Sequence, residues 1–269
     1  MQVYRGMDIG TAKATAAERA AIPHHLLDLV SPAEQFHAAA WANAAHTIIV
    51  DTVARERLPI IVGGTGLYFR ALVRGLFEAP RANPEIRARH QAEAAQVGTA
   101  AMHERLSGID PEAAAKIKTG DLVRISRALE VFEQTGATIS DLRRQKAPPP
   151  PPLRMFSVIL DFDLDLLRPR IAARVDGMMA AGFLDEVRAL REAGYANARS
   201  MQALGYKQLG DYLDGKVTLD MAVAATKSVT AAYARRQRTW FRREEINLRT
   251  HQPLVVDALA RLVRGWLLT

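Results

Sequence analysis

Apolar positions recur at helical spacing through several stretches of this chain and gather into strand-like runs in only a few. One such run, Ile60, Ile61 and Val62, lies between Pro59 and Gly63, is too brief for a helix, and reads as a buried strand. Gly63, Gly64 and Gly66 then make a turn around Thr65, and Leu67, Tyr68, Ala71 and Leu72 have helical spacing. Residues 58–72 therefore predict strand, glycine-rich turn and helix, with the positive end of the helix dipole at the turn. Backbone amides in such a turn can hold an anion. The same glycines also suit a tight turn that needs them only for its dihedrals.

Upstream, residues 25–30 read as a short strand, and Ser31-Pro32-Ala33-Glu34 fits a capping box that opens a helix running to about Arg57. Helix, buried strand and helix in succession form the α/β pattern, in which ligands bind beyond the carboxyl ends of parallel strands. Residues 63–65 lie at such an end, which favours the phosphate reading. Residues 1–15 lack apolar periodicity and read as a loop crossing a surface.

From Arg81 the pattern changes to short helices without strand signals. Asn83-Pro84 opens one that Gly98 closes, Asp110-Pro111 opens a second that Gly120 stops, and Asp121 caps a third that ends at Gly136. In the third, Leu122, Ile125, Leu129 and Phe132 form an apolar stripe. Arg124 and Arg127 stand off it, either as a solvated face paired with Glu130 or as a phosphate-contacting pair. Residues 147–152 are Ala followed by prolines and predict an extended polyproline connector. A second strand is read at 156–162. A helix then begins around Pro169 with Leu167, Ile171, Val175 and Met178 apolar, placing Arg170 and Arg174 four apart. That spacing suits a diphosphate clamp and ordinary surface charge equally. Gly182 interrupts, a helix with Val187 and Leu190 follows, and Gly194 reads as its C-cap. Thr218 caps a long final helix that ends in arginines interleaved with Trp240 and Phe241 at 235–243. These suit an RNA backbone and a stacked base, with Arg236 and Trp240 as contacts, or a solvated basic face with Trp240 in the core. The expected organisation is a core α/β domain over 1–80 and 153–269, interrupted by a helical insertion with its connector over 81–152.

Composition narrows the function. Lys and Arg number 36 against 29 Asp and Glu, a net +7, which favours a polyanionic partner. There is no cysteine, so disulfides, thiolate catalysis and cysteine zinc sites are excluded. His24 and His25 have no carboxylate partner at ligand spacing, and no protein-held metal is expected. No apolar run approaches the ~20 residues of a membrane span, and the first ten residues hold no signal core, so a soluble cytoplasmic protein is expected.

Six ordered blocks carry a resemblance: QVYRGMDIGTAK at 2–13, PHHLLD at 23–28, VGGTGLYFRAL at 62–72, RISRALEV at 124–131, LGYKQL at 204–209 and RQRTWFRRE at 236–244. They resemble, in order and over nearly the whole chain, the bacterial tRNA dimethylallyltransferases. The resemblance implies an α/β core of P-loop NTPase type, its parallel sheet truncated at the N-terminus, with an all-helical insertion domain. It implies transfer of a dimethylallyl group from dimethylallyl diphosphate to N6 of the adenine 3′-adjacent to the anticodon, with Mg2+ on the diphosphate. The partner is the tRNA anticodon stem-loop, and the enzyme is expected to be a monomer.

Matched position by position, Thr65 resembles the family threonine near the bridging oxygen of the leaving diphosphate. Arg174, with Arg170 as second choice, resembles the arginine that neutralises it. Met1, Gln2, Arg87, Val123, Arg124, Ile125, Ser126 and Arg127 match tRNA-contacting positions, as do Gln202, Ala203, Leu204, Gly205, Tyr206 and Lys207. Val123 departs from the usual glutamine. The family holds the target adenine flipped in a channel through the core. A larger departure is that the strand, the G-x-x-x-x-G-K-[ST] loop and the Asp-Ser pair that precede the first block in the family do not occur in this sequence. The expectation is an incomplete chain with negligible transfer by these 269 residues alone. The alternatives are a non-catalytic RNA-binding remnant and, more weakly, a nucleotide or phosphate-transfer enzyme of related fold.

Overall fold

The computed structural model describes residues 1–77, 79–145, 153–251 and 255–268. The chain divides into two compact units, Met1–Leu72 with Leu153–Thr269 and, between them in sequence, Val73–Pro152. The proline connector expected at 147–152 lies outside the described residues.

In order, the elements are α1 (Ala16–Ala21), α2 (Ala38–Ala54), α3 (Gly66–Arg74), α4 (Pro84–Ile109), α5 (Pro111–Ala114), α6 (Leu122–Thr135), α7 (Ile139–Arg144), β1 (Val158–Leu160), α8 (Leu164–Ala180), α9 (Phe183–Leu190), α10 (Tyr206–Leu213), α11 (Leu219–Phe241), β2 (Leu248–Thr250) and α12 (Val256–Leu267). β1 pairs with β2 in parallel, Val158 opposite Leu248 and Leu160 opposite Thr250. Parallel pairing needs a long crossover, here α8 to α11, and places this unit in the α/β class. Its core gathers Met7, Phe183, Val187, Met201, Tyr206 and Leu209, so α9 and α10 bury their apolar faces against the start of the chain.

Several expectations need correction. Ile60, Ile61 and Val62 form no strand and are 78, 45 and 89 % exposed. Among the described residues no strand lies beside them, and an unpaired run has neither ladder hydrogen bonds nor a covering layer to reward it. At 25–30 only Val30 pairs, in a single parallel bridge with Tyr4. Residues 1–15 form a loop at the surface, but one that also sends Val3, Tyr4 and Met7 into the core. The Glu34 carboxylate does reach back to the Ser31 N–H (2.7 Å), but helix begins only at Ala38, capped by His37. α11 is not the last helix, because α12 follows it.

The second unit follows its caps closely. Asn83, Asp110, Asp121 and Thr138 each accept amide hydrogen bonds at the start of α4, α5, α6 and α7. Gly136 ends α6 in the left-handed region at φ 70°. Gly98, at φ 84° and ψ 156°, leaves helical geometry and closes the first half of α4, with a second helical half continuing beyond it. Met102, Leu106, Ile125, Leu129 and Val131 form the core of this unit.

Candidate functional site

Thr65 sits on a turn that leans against one face of α11. Tyr233, Gln237 and Trp240 are spaced four and three apart and so share that face. Gln237 Nε2 donates to the Gly64 carbonyl at 2.9 Å, and Thr65 Oγ1 stands 3.5 Å from Tyr233 Oη. A Cβ at Gly64 would meet the Gln237 amide, and one at Gly66 would enter the Trp240 indole. Neither glycine has positive φ, so what these positions require is close approach to α11 rather than special dihedrals. Trp240 is half-buried, with the Arg70 guanidinium 4.4 Å from its ring centroid and Phe241 at 5.2 Å. Arg70 is in turn anchored to the buried Glu244 carboxylate at 2.7 Å. The indole thus packs the turn onto the helix while remaining half-exposed.

The same half of α11 also holds the carboxyl end of β1. Arg238 Nε donates to Asp161 at 2.7 Å, Arg249 donates to the other Asp161 oxygen at 3.0 Å, and Arg238 reaches Asp163 at 3.2 Å. Burial pushes the Asp161 carboxyl up, but the two arginines outweigh it and hold it below the usual carboxylate range. Arg238 is therefore committed to the fold. Arg235, Arg236, Arg242 and Arg243 are exposed and form no ion pair among the described residues; Arg236 lies 5.6 Å from the Tyr233 ring centroid. α8 packs along α11, tied by Lys227 to Asp176 at 2.6 Å. Its Arg170 covers the Phe162 ring at 5.1 Å, and Arg174 is exposed. Neither has an ion-pair partner among the described residues. The structure thus joins Thr65 and the end of β1 through α11, and leaves both α8 arginines available.

A carboxylate joins two of the sequence blocks. Glu186 Oε2 accepts from the Asp8 N–H (2.9 Å) and Ile9 N–H (2.6 Å), while Oε1 accepts from the Gly10 N–H (3.1 Å) and the Tyr206 hydroxyl (2.6 Å). Burial and then the neighbouring carboxylate push the Tyr206 phenol far up, so it remains a donor at any physiological pH. Tyr206 is 1 % exposed, which removes its side chain from direct RNA contact; Gly205 is buried as well. Gln202 and Lys207 are exposed, and Ala203 and Leu204 are partly so. Met1 is half-exposed, whereas the Gln2 amide donates to the Thr11 and Ala12 carbonyls and braces the first loop. Glu186→Ala is expected to cost about 2–3 kcal/mol by leaving three amides and a phenol without an acceptor. A urea midpoint equal to the parent's would exclude this role.

In the second unit, Ile125 is fully buried and Ser126 is buried with its hydroxyl 3.0 Å from His90 Nδ1. Their side chains are core and cannot reach RNA. Arg127 donates to Glu130 (2.7 Å) and to the Pro80 carbonyl (2.7 Å), and Arg87 grips the same carboxylate through Nε and Nη2. The Glu130 pairing read from the sequence is therefore formed by Arg127 and shared with Arg87. Arg124 is exposed beside Asp121 at 3.2 Å, and Val123 is 78 % exposed.

Comparison with known proteins gives this arrangement a context. The family model described as IPP transferase matches residues 2–244. The chain belongs to the IPP transferase family. It is 47 % identical over 271 residues to the tRNA dimethylallyltransferase of a Roseiflexus species, covering 99 % of this chain and 88 % of the relative. The Stenotrophomonas maltophilia tRNA dimethylallyltransferase is 48 % identical over 254 residues, covering 90 % and 79 %. Among solved structures, the tRNA isopentenylpyrophosphate transferase of Bacillus halodurans superposes with a TM-score of 0.68 at 38 % identity, covering 99 % of this chain and 85 % of that one. A eukaryotic dimethylallyltransferase solved acting on tRNA gives 0.71 at 25 % identity, covering 90 % and 61 %. The fold is that of this prenyltransferase family, a P-loop-like α/β core with a helical insertion.

For this IPP transferase the sequence reading missed Tyr233, Gln237, Asp161 and Glu186. The first two were visible as partners of Trp240 at seven and three residues' spacing on one helix face, but Glu186 had no local signal. Among the described residues no group of three His, Asp or Glu stands close enough to hold a metal ion, and no helix is long and apolar enough to cross a membrane.

Proposed function

We propose that the enzyme carrying this sequence transfers the dimethylallyl group of dimethylallyl diphosphate to N6 of the adenine 3′-adjacent to the anticodon of tRNA. The observation that carries the reading is that Arg235, Arg236, Arg242 and Arg243 at the end of α11 are exposed and without ion pairs among the described residues, while the Thr65 turn packs on the Gln237 face of the same helix. In the reaction the carbon–oxygen bond to diphosphate breaks, a bond forms from N6 to that carbon, N6 loses a proton, and diphosphate leaves. Thr65 donates its hydroxyl to the oxygen on which charge develops. Arg174, with Arg170 beside it on α8, neutralises the departing diphosphate. Mg2+, when bound with the donor, would add positive charge beside the diphosphate that Arg174 and Arg170 neutralise.

In the core unit the tRNA backbone lies along Arg236 and its exposed neighbours, with Gln202 and Lys207 presented to it and Gln2, Gly205, Tyr206 and Trp240 shaping that surface from beneath; in the helical unit Val123 and Arg124 are presented to RNA over Arg87, Ile125, Ser126 and Arg127. The adenine leaves its stack to reach the prenyl donor. The core unit carries the reaction and the helical unit grips RNA; the enzyme works as a monomer in the cytoplasm. The test uses enzyme purified from its host with donor, Mg2+ and an anticodon stem-loop. Dimethylallylation of the one adenine, detected by nucleoside mass spectrometry, is expected from the host enzyme, together with a steep fall of stem-loop affinity with salt. A host enzyme that binds the stem-loop but leaves the adenine unmodified at saturating donor contradicts the reaction.

A further inference from the structure

The second unit contains a cavity of about 250 Å³ lined by Lys116, Ile117, Arg124, Arg127, Ile139 and Arg143. Four of these are cations and none is acidic. Arg127 is held in place by Glu130 and the Pro80 carbonyl, with its side chain 27 % exposed, and so forms a fixed wall. Arg143 lies against the Phe77 ring at 5.5 Å and has no ion pair among the described residues. Lys116 and Arg124 are paired only at the surface, with Glu112 at 2.8 Å and Asp121 at 3.2 Å. Exposed pairs of that kind are worth little and yield readily to a better acceptor. The first turn of α6, where Arg124 sits, adds the positive end of its dipole. Ile117 and Ile139 close the sides with apolar surface. A tetrahedral oxyanion fits this set, because its acceptor oxygens point in several directions toward converging guanidinium and ammonium groups.

We infer that this cavity is a phosphate pocket that seats one phosphodiester of the bound tRNA, with Lys116 and Arg143 as its outer cations. The inference rests on the tRNA reading above. It assigns to Lys116 and Arg143 a contact that the sequence blocks do not include.

The test is the salt dependence of anticodon stem-loop affinity for the parent and for the double variant Lys116→Gln/Arg143→Gln. Both side chains are exposed, so the variant should keep the parent's thermal unfolding. The magnitude of the slope of log K against log salt should fall by about one, as for loss of a single phosphate contact, and equally for stem-loops of different sequence. Arg55→Gln/Lys216→Gln, which removes the same charge from exposed sites elsewhere, should leave the slope unchanged. A parent that binds with a steep slope which the Lys116/Arg143 variant shares overturns the pocket alone. A parent that does not bind RNA overturns the tRNA reading and the pocket with it. Inorganic phosphate is titrated in parallel with the Arg143 resonance as readout. Tight saturation by phosphate, with the RNA slope unaltered in the variant, assigns the cavity to a free anion and overturns the inference.

Discussion

Glu130→Ala lowers the stability of the helical unit by about 3 kcal/mol, the low end of the cost of removing one partner of a buried charge cluster. The carboxylate is fully buried and accepts from the Asn83 N–H (2.5 Å), Arg127 (2.7 Å) and Arg87 (3.1 Å). Its removal leaves two guanidinium groups facing each other across a void. Partial exposure of both arginines lets water compensate some of the loss, which is why the low end applies. Replacing all three by apolar residues, Glu130→Leu with Arg87→Met and Arg127→Met, should recover most of the stability, because no charge is then left unpaired.

The pH dependence follows from the same site. Burial alone would raise the Glu130 carboxyl, but Arg127, Arg87 and the Asn83 amide outweigh it, so its folded pKa lies below the ordinary value. Stability from this group is therefore complete above about pH 4.3, the unfolded glutamate value, and is lost as pH falls through the folded value. Thermal unfolding followed by circular dichroism across acid pH measures both effects. An alanine variant within about 1 kcal/mol of the parent would mean that the cluster contributes geometry but not stability.

Thr65→Val reduces kcat by about 10²–10³-fold in the host-purified enzyme, the loss typical of removing one donor to developing charge. Valine keeps the shape and β-branching of threonine, so the turn should remain on α11 through Gln237 and Trp240. Among the described residues the Thr65 hydroxyl has only a long 3.5 Å contact with Tyr233, weak enough to yield to a leaving oxygen. Single-turnover rates separate this effect from RNA binding, which should change by less than about twofold because the backbone contacts lie on other residues. Thr65→Ser should restore most of the rate. Tyr233→Phe distinguishes a structural role: if it loses as much as Thr65→Val, the hydroxyl serves the turn and not the reaction.

What the sequence made legible was local. Asp121 and Gly136 mark the ends of α6, and Thr218 marks the start of α11, because a cap is written in the few residues whose amides or carbonyls it satisfies. The strand at 158–160 was also legible, as were the six blocks that led to the family. Partnership across the chain was not. Ile60, Ile61 and Val62 have the composition of a buried strand, but a strand needs a neighbour, and their own pattern does not say whether one lies alongside. Phosphate binding and helix packing call for the same glycines, and only α11, about 170 residues further on, shows that Gly64 and Gly66 are small because Gln237 and Trp240 lie against them.

By itself, then, the sequence determined the capped helices, the basic surplus and the family to which the chain belongs. The tertiary structure decided which arginines are held by Asp161 and Glu130 and which stay exposed. It also put Tyr206 in the core and tied the first loop to Glu186. Those outcomes depend on burial and on acceptors supplied by distant segments, and neither is encoded within the few residues over which caps and periodicity act.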